Sequence, residues 1–167
     1  MNKMWRTLSC IVGLGLSTGG VAQQSIGSGD WVFEERRDAM SDFVAGFASL
    51  RSVEGNGRLV LTCRKHGKNG VHILFVPNVN LSPGPRVAEF RFDDRPAFRS
   101  LVIYNADNIV WIELKKLLEK GRGTSSLRAR FIDSYSKPFD MAFNTSGLQS
   151  AARSVAVVCK DPIQNFK

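Results

Sequence analysis

The chain has 167 residues, 43% of them hydrophobic, and its 23 basic and 15 acidic side chains give a formal net charge of +8. That length suits one domain with a sizeable core. Past the N-terminus no run is apolar and long enough to span a bilayer as a helix, so no membrane-spanning helix is expected there.

The N-terminus begins with Lys3 and Arg6, continues as an uncharged apolar run over residues 7–16, and closes in small residues over 17–22. A basic start, a short apolar middle and a small-residue end are the parts of a secretory signal peptide. The apolar run, about ten residues, falls short of the roughly 20 that a membrane-spanning helix needs. Residues 1–22 are therefore expected to be a signal peptide cleaved after Ala22, with the remainder exported to the periplasm. Taking Lys3 and Arg6 from the 23 basic groups leaves 21 against 15 acidic ones, a surplus of six spread along the chain. Such a surplus favours anionic surfaces, so weak contact with an anionic membrane surface is one expectation and a plainly solvated surface the other.

Residues 23–29 read as a flexible polar lead-in, residues 30–160 as a single β-rich domain, and residues 161–167 as a tail. A β-like segment carrying Trp31 and Phe33 opens the domain, and turn-forming residues at 37–42 interrupt it. Residues 43–50 fit a strand or a helix face, and Gly46 together with the neighbouring strands favours the strand. Next comes a strand over residues 58–64 with Leu59, Leu61 and Cys63 on one inward face. The glycine-rich turn at 65–70 returns it as a hairpin partner over 71–79. Pro83 and Pro85 read as a rigid loop that forbids a continuous ladder.

Residues 86–93 alternate Ala88, Phe90 and Phe92 against Glu89, Arg91 and Asp93, and the turn Asp94-Arg95-Pro96 follows. Apolar runs at 98–104 and 108–112 form a second hairpin, the later one carrying Trp111. The period then changes to helical up to Gly121, a common kind of helix stop. Residues 126–133 alternate again, with Arg128 and Arg130 on the polar face, and 139–143 form the last strand. Residues 148–158 read as a helix capped by Thr145 or Ser146, with Leu148, Ala152, Val155 and Val158 or Ala151 facing inward. Short strands with regularly spaced turns indicate a mainly β fold. The expectation is a β-sandwich or partly open barrel of about 8–9 strands, with a short helix before Gly121 and a C-terminal helix.

Once Cys10 leaves with the signal peptide, Cys63 and Cys159 remain. An even pair in an exported chain reads as a disulfide, the alternative being two unrelated buried thiols. A metal site is not expected, because His66 and His72 are the only histidines and no paired-cysteine spacing occurs. No nucleophile elbow, phosphate loop or nucleotide fingerprint is present, and no cofactor is expected. Asp93 and Asp94 are adjacent carboxylates at a strand end, where turn formation is the ordinary role. Trp31 and Trp111 have apolar i±2 neighbours and read as core rather than as a sugar-stacking platform.

The basic residues carry the remaining signal. Arg91, Arg95, Arg128 and Arg130 would line one surface if their strands were neighbours, and Lys65 and Lys68 sit at a hairpin tip. Guanidinium forks suit carboxylate and phosphate partners. Nucleic acid is not expected, since the chain is exported and its aromatics alternate inward instead of interleaving with the charges.

The order of features resembles a known family. The tryptophan strand is followed by Asp38-Ala39-Met40-Ser41-Asp42, Leu59-Val60-Leu61-Thr62-Cys63-Arg64, and Phe92-Asp93-Asp94-Arg95-Pro96. A second tryptophan strand and a helix follow, then Phe143-Asn144-Thr145-Ser146-Gly147-Leu148 and a helix ending in cysteine. This resembles the exported VasI-type accessory proteins associated with type VI secretion and, more loosely, is similar to the invasion-associated locus B family. The resemblance implies a periplasmic β-sandwich with one disulfide and no catalytic residues to carry over. The expected function is a non-enzymatic accessory or binding protein that engages a protein or an anionic envelope component. The alternative is a small envelope hydrolase or enzyme inhibitor whose site is assembled from scattered residues.

Overall fold

The structure is a computed structural model and describes residues 23–25, 30–38, 43–63, 70–105 and 109–160. The expected signal peptide, the tail at 161–167, and Lys65 and Lys68 lie outside the described residues. The chain is mainly β, and its described residues form ten strands and two helices. The elements are β1 (Gln23–Ser25), β2 (Val32–Asp38), β3 (Phe43–Arg51), β4 (Gly57–Cys63), β5 (Val71–Pro77) and β6 (Gly84–Phe92). β7 (Phe98–Tyr104), β8 (Val110–Ile112), α1 (Leu114–Lys120), β9 (Ser126–Ile132), β10 (Pro138–Asn144) and α2 (Leu148–Cys159) complete it.

All ten strands belong to one antiparallel sheet in the order β1-β2-β3-β4-β5-β8-β7-β6-β9-β10. The sheet is single and does not close, as expected for a mainly β fold with a helix before Gly121 and another at the C-terminal end. The sheet curls until its far strands meet across the core. Phe75 on β5 lies 5.6 Å from Phe90 on β6, 5.2 Å from Phe131 on β9 and 5.8 Å from Phe143 on β10, measured between ring centres. All four rings are fully buried.

β10 would be an exposed edge, and such edges recruit unwanted strands. Here the β3–β4 turn covers it. The Val53 N–H donates to the Ala142 carbonyl (2.8 Å), Asn56 Nδ2 donates to the Asp140 carbonyl (2.9 Å), and the Ala142 N–H donates to Glu54 Oε2 (3.3 Å). Gly55 takes a left-handed φ of 70° in that turn. A Cβ at Gly57 would meet Met141 Cε from β10 and lie 2.8 Å from the Val76 carbonyl, so the curl of the sheet requires glycine there.

α2 packs on β3, β4 and β5 through Leu148, Ala151, Ala152, Val155 and Ala156. Cys63, buried at the end of β4, is joined by a disulfide to Cys159 at the end of α2, with Cα atoms 6.2 Å apart. This separation lies inside the range that a disulfide spans without moving the backbone.

Several expectations are corrected. Gln23–Ser25, read as lead-in, pair with β2 as an edge strand. Pro85 sits inside β6 opposite Ile103. It lies near the start of β6, where β7 alone is beside the strand, because β9 joins the other edge only from Glu89 onward. On β3 the core-facing positions are Gly46, Ala48 and Leu50, while Phe47 lies outside with the Arg36 guanidinium 5.0 Å from its ring centre. The side-chain cap expected for α2 does not form. Gly147 at φ 82° precedes the helix, the Leu148 N–H donates to the Thr145 carbonyl (2.9 Å), and Thr145 Oγ1 is buried with no hydrogen-bond partner among the described residues. Of the two alternatives for the inner face of α2, Ala151 is buried and Val158 half-buried, and Ala156 is buried beside the expected Leu148, Ala152 and Val155.

Candidate functional site

The alternation on β6 sends Val87, Glu89 and Arg91 outward, and that on β9 sends Arg128 and Arg130 outward. β6 and β9 are direct neighbours. In their register Glu89 stands opposite Arg130, and Arg91 stands opposite Arg128. Directly opposed Cβ atoms on one face lie about 4.5–5.5 Å apart, so the register brings three of the four expected strand and turn arginines onto one surface.

The row through Glu89 is electrically closed. Arg99 on β7 pairs with Glu89 (3.4 Å), Glu89 faces Arg130, and Arg130 holds Asp140 on β10 through two 2.7 Å hydrogen bonds, Nε to Oδ1 and Nη2 to Oδ2. Charge thus alternates across four neighbouring strands. The Arg130 hydrogen bonds hold the Asp140 carboxyl below the usual carboxylate range, with added attraction from Arg130 and Arg128, while burial opposes the shift. Hydrogen bonding to Asp140 likewise raises the Arg130 pKa.

The next row is not closed. Arg91 Nη2 reaches Asp94 Oδ1 at 3.6 Å, and Asp94 is fully solvent-exposed. Arg128 has no ion pair among the described residues; its partner on β10 is Ala142. Like charges directly opposed across strands destabilise a sheet. Arg51 and Arg58 form another such pair, at the end of the β3–β4 hairpin. Arg91 and Arg128 differ from that pair in lining two adjoining open grooves. One, about 400 Å³, crosses β6, β9 and β10 and ends at Glu54; the other, about 460 Å³, reaches Ser125 and Ser126.

Asp93 belongs to the framework of this surface. At φ 43° its carboxylate accepts the Ser126 N–H and Oγ–H, both at 2.8 Å, and the Ser125 N–H at 3.2 Å. The Ser126 hydroxyl bond is the main reason the Asp93 pKa is lowered. Its carboxylate oxygens tie the start of β9 to the turn after β6, the ordinary role of an acidic residue at a strand end.

Arg95 is a correction to the expected set. Its Nη1 donates to the Lys120 carbonyl and its Nη2 to the Arg122 carbonyl, both at 2.9 Å. It serves the carbonyl groups at the end of α1, as basic residues commonly do at helix C-termini, and it does not join the arginine face. Trp31 is fully buried with Nε1 donating to the Ser146 carbonyl (3.1 Å), and Trp111 is half-buried on the outer face, edge-on to His72. Among the described residues, no group of three or more His, Cys, Asp or Glu is placed to hold a metal ion.

No protein-family model matches the chain, no curated protein matches it in sequence, and no solved structure matches its fold. The residues therefore speak for themselves. Glu89 was read on the same polar face as Arg91, whereas Arg99 and Asp140 were not among the sequence candidates. What was missing was the pairing of β6 with β9, two segments separated by β7, β8 and α1. Chemically, the surface offers two guanidinium forks to an anionic group beside a row of charges already satisfied by one another.

Proposed function

We propose that the protein is an exported, non-enzymatic accessory protein of the periplasm that binds an anionic envelope or protein partner through the outer face of β6 and β9. An association with a secretion system is part of this reading and rests on the sequence resemblance alone. The observation that carries the binding role is the opposition of Arg91 and Arg128, with Arg128 lacking an ion pair among the described residues. Such a pair weakens the free sheet and is relieved when a carboxylate or phosphate bridges it. The disulfide supports the compartment, because oxidising compartments form and keep such bonds.

The test is affinity capture from envelope extracts with the wild type and an Arg91→Thr/Arg128→Thr variant; threonine preserves strand propensity. Loss of the captured partner with the variant is expected. Identical capture by both would end the arginine-face reading.

A further inference from the structure

The outer face that carries the arginines also carries a block of exposed aliphatic side chains. Val87 on β6 and Leu101 on β7 are direct cross-strand partners, exposed 59% and 65%. The adjoining row holds Pro85 opposite Ile103, and Ile103 opposite Trp111 on β8; Ile103 is 56% exposed. Isolated exposed apolar residues are ordinary, whereas a contiguous group across three strands marks a contact surface.

What contacts it follows from the neighbouring rows. Moving along β6 from Val87, the same face presents the alternating row through Glu89, and then Arg91 opposite Arg128. Arg91 lies four residues from Val87, about 14 Å along the strand. Aliphatic side chains, an indole and guanidinium groups therefore share one continuous face, in which a row of mutually paired charges, Arg99, Glu89, Arg130 and Asp140, separates the aliphatic block from the Arg91–Arg128 pair. That is the composition of a surface that rests on an anionic bilayer. Aliphatic groups enter the headgroup boundary, tryptophan favours the same depth, and arginines meet the lipid phosphates.

We infer that the outer face of β6–β9 docks on an anionic lipid surface, with Val87, Leu101, Ile103 and Trp111 inserting at the boundary and Arg91 and Arg128 binding headgroup phosphates. This deepens the arginine-face reading above and rests on it. Neither half suffices alone, because stable peripheral attachment takes two signals, an apolar one and a basic one.

The experiment is co-sedimentation of the full disulfide-bonded protein with phosphatidylglycerol or phosphatidylcholine vesicles at 0.15 M salt, beside retention on immobilised polyglutamate. Wild type is expected on phosphatidylglycerol and not on phosphatidylcholine. Leu101→Thr/Ile103→Thr should lose about tenfold in vesicle affinity with polyglutamate retention unchanged. The same change at Val157, an exposed residue on α2, should leave both unchanged. Vesicle binding that survives loss of Leu101 and Ile103, or polyglutamate retention without any vesicle binding, overturns the lipid inference and leaves the arginine face standing. Absence of binding to either probe overturns both.

Discussion

Arg91 and Arg128 are cross-strand partners on β6 and β9, two like charges set face to face in a sheet whose adjoining row is neutralised pair by pair. Such an opposition has a cost in the free protein. Replacing Arg128 by threonine should therefore stabilise the fold by about 0.5 kcal/mol, raising the thermal midpoint by about 1–2 °C. Thermal unfolding at low salt measures it, and added salt should shrink the gain by screening the repulsion. A lower midpoint would mean that the arginine pair is structural.

The Arg130–Asp140 pair stabilises the sheet, and its contribution depends on pH. Folding lowers the Asp140 pKa from its ordinary 3.8. Its contribution is therefore complete above that value and fades as pH falls through the lower folded value. Both side chains are more than half exposed, so screening limits the contribution to about 0.5–1 kcal/mol even with two hydrogen bonds. Asp140→Asn should cost that much at pH 7, and the cost should shrink as the pH is taken below 3.8, as read from urea unfolding at pH 7 and pH 3.

Cys63 and Cys159 are 96 residues apart in sequence, so their bond closes most of the domain into one loop. Mass spectrometry of the non-reduced protein should find a peptide joining them. Substituting both by alanine should cost about 2–5 kcal/mol, and α2, whose end the bond ties to β4, should be the first element to lose protection from hydrogen exchange. Two free thiols in the native protein would contradict this.

At Gly121 the constraint is packing and not conformation. Its φ is −86°, which any residue adopts, but a Cβ there would stand 2.7 Å from the Phe92 ring and 3.1 Å from the Leu117 carbonyl. Gly121→Ala should cost about 1–3 kcal/mol by overpacking, measured by urea unfolding, with little change in the far-ultraviolet circular dichroism of the folded state.

Gly121 also shows what the sequence could and could not convey. The helix stop was legible, because the apolar period ends there, but the reason for the glycine is a distant ring on β6. Alternation located Leu59, Leu61 and Cys63 on an inward face, and Phe90, Phe92, Leu127 and Phe131 in the core, because each strand keeps one face dry. On β3 the strand reading of residues 43–50 holds, but the face that packs under α2 is the one carrying Gly46, where a Cβ would stand 3.3 Å from Val158 Cβ, so the small residue and not Phe47 meets the helix. The candidate site was half legible. Arg91, Arg128 and Arg130 were recognisable as outward cations. Their meeting depends on a non-local pairing that no local pattern encodes, and the same ignorance of register placed Arg95 with them instead of at the end of α1.

The most direct measurement compares retention of two double variants on immobilised polyglutamate. Arg91→Thr/Arg128→Thr and Arg51→Thr/Arg58→Thr remove the same charge from the same kind of cross-strand pair, and only the first lies in the grooves. The expected result is about a tenfold or greater loss of affinity for the first, as for a bidentate charge-assisted contact, and retention close to wild type for the second. Equal losses would show that the surface answers to net charge alone and that the Arg91–Arg128 pair is not a binding site.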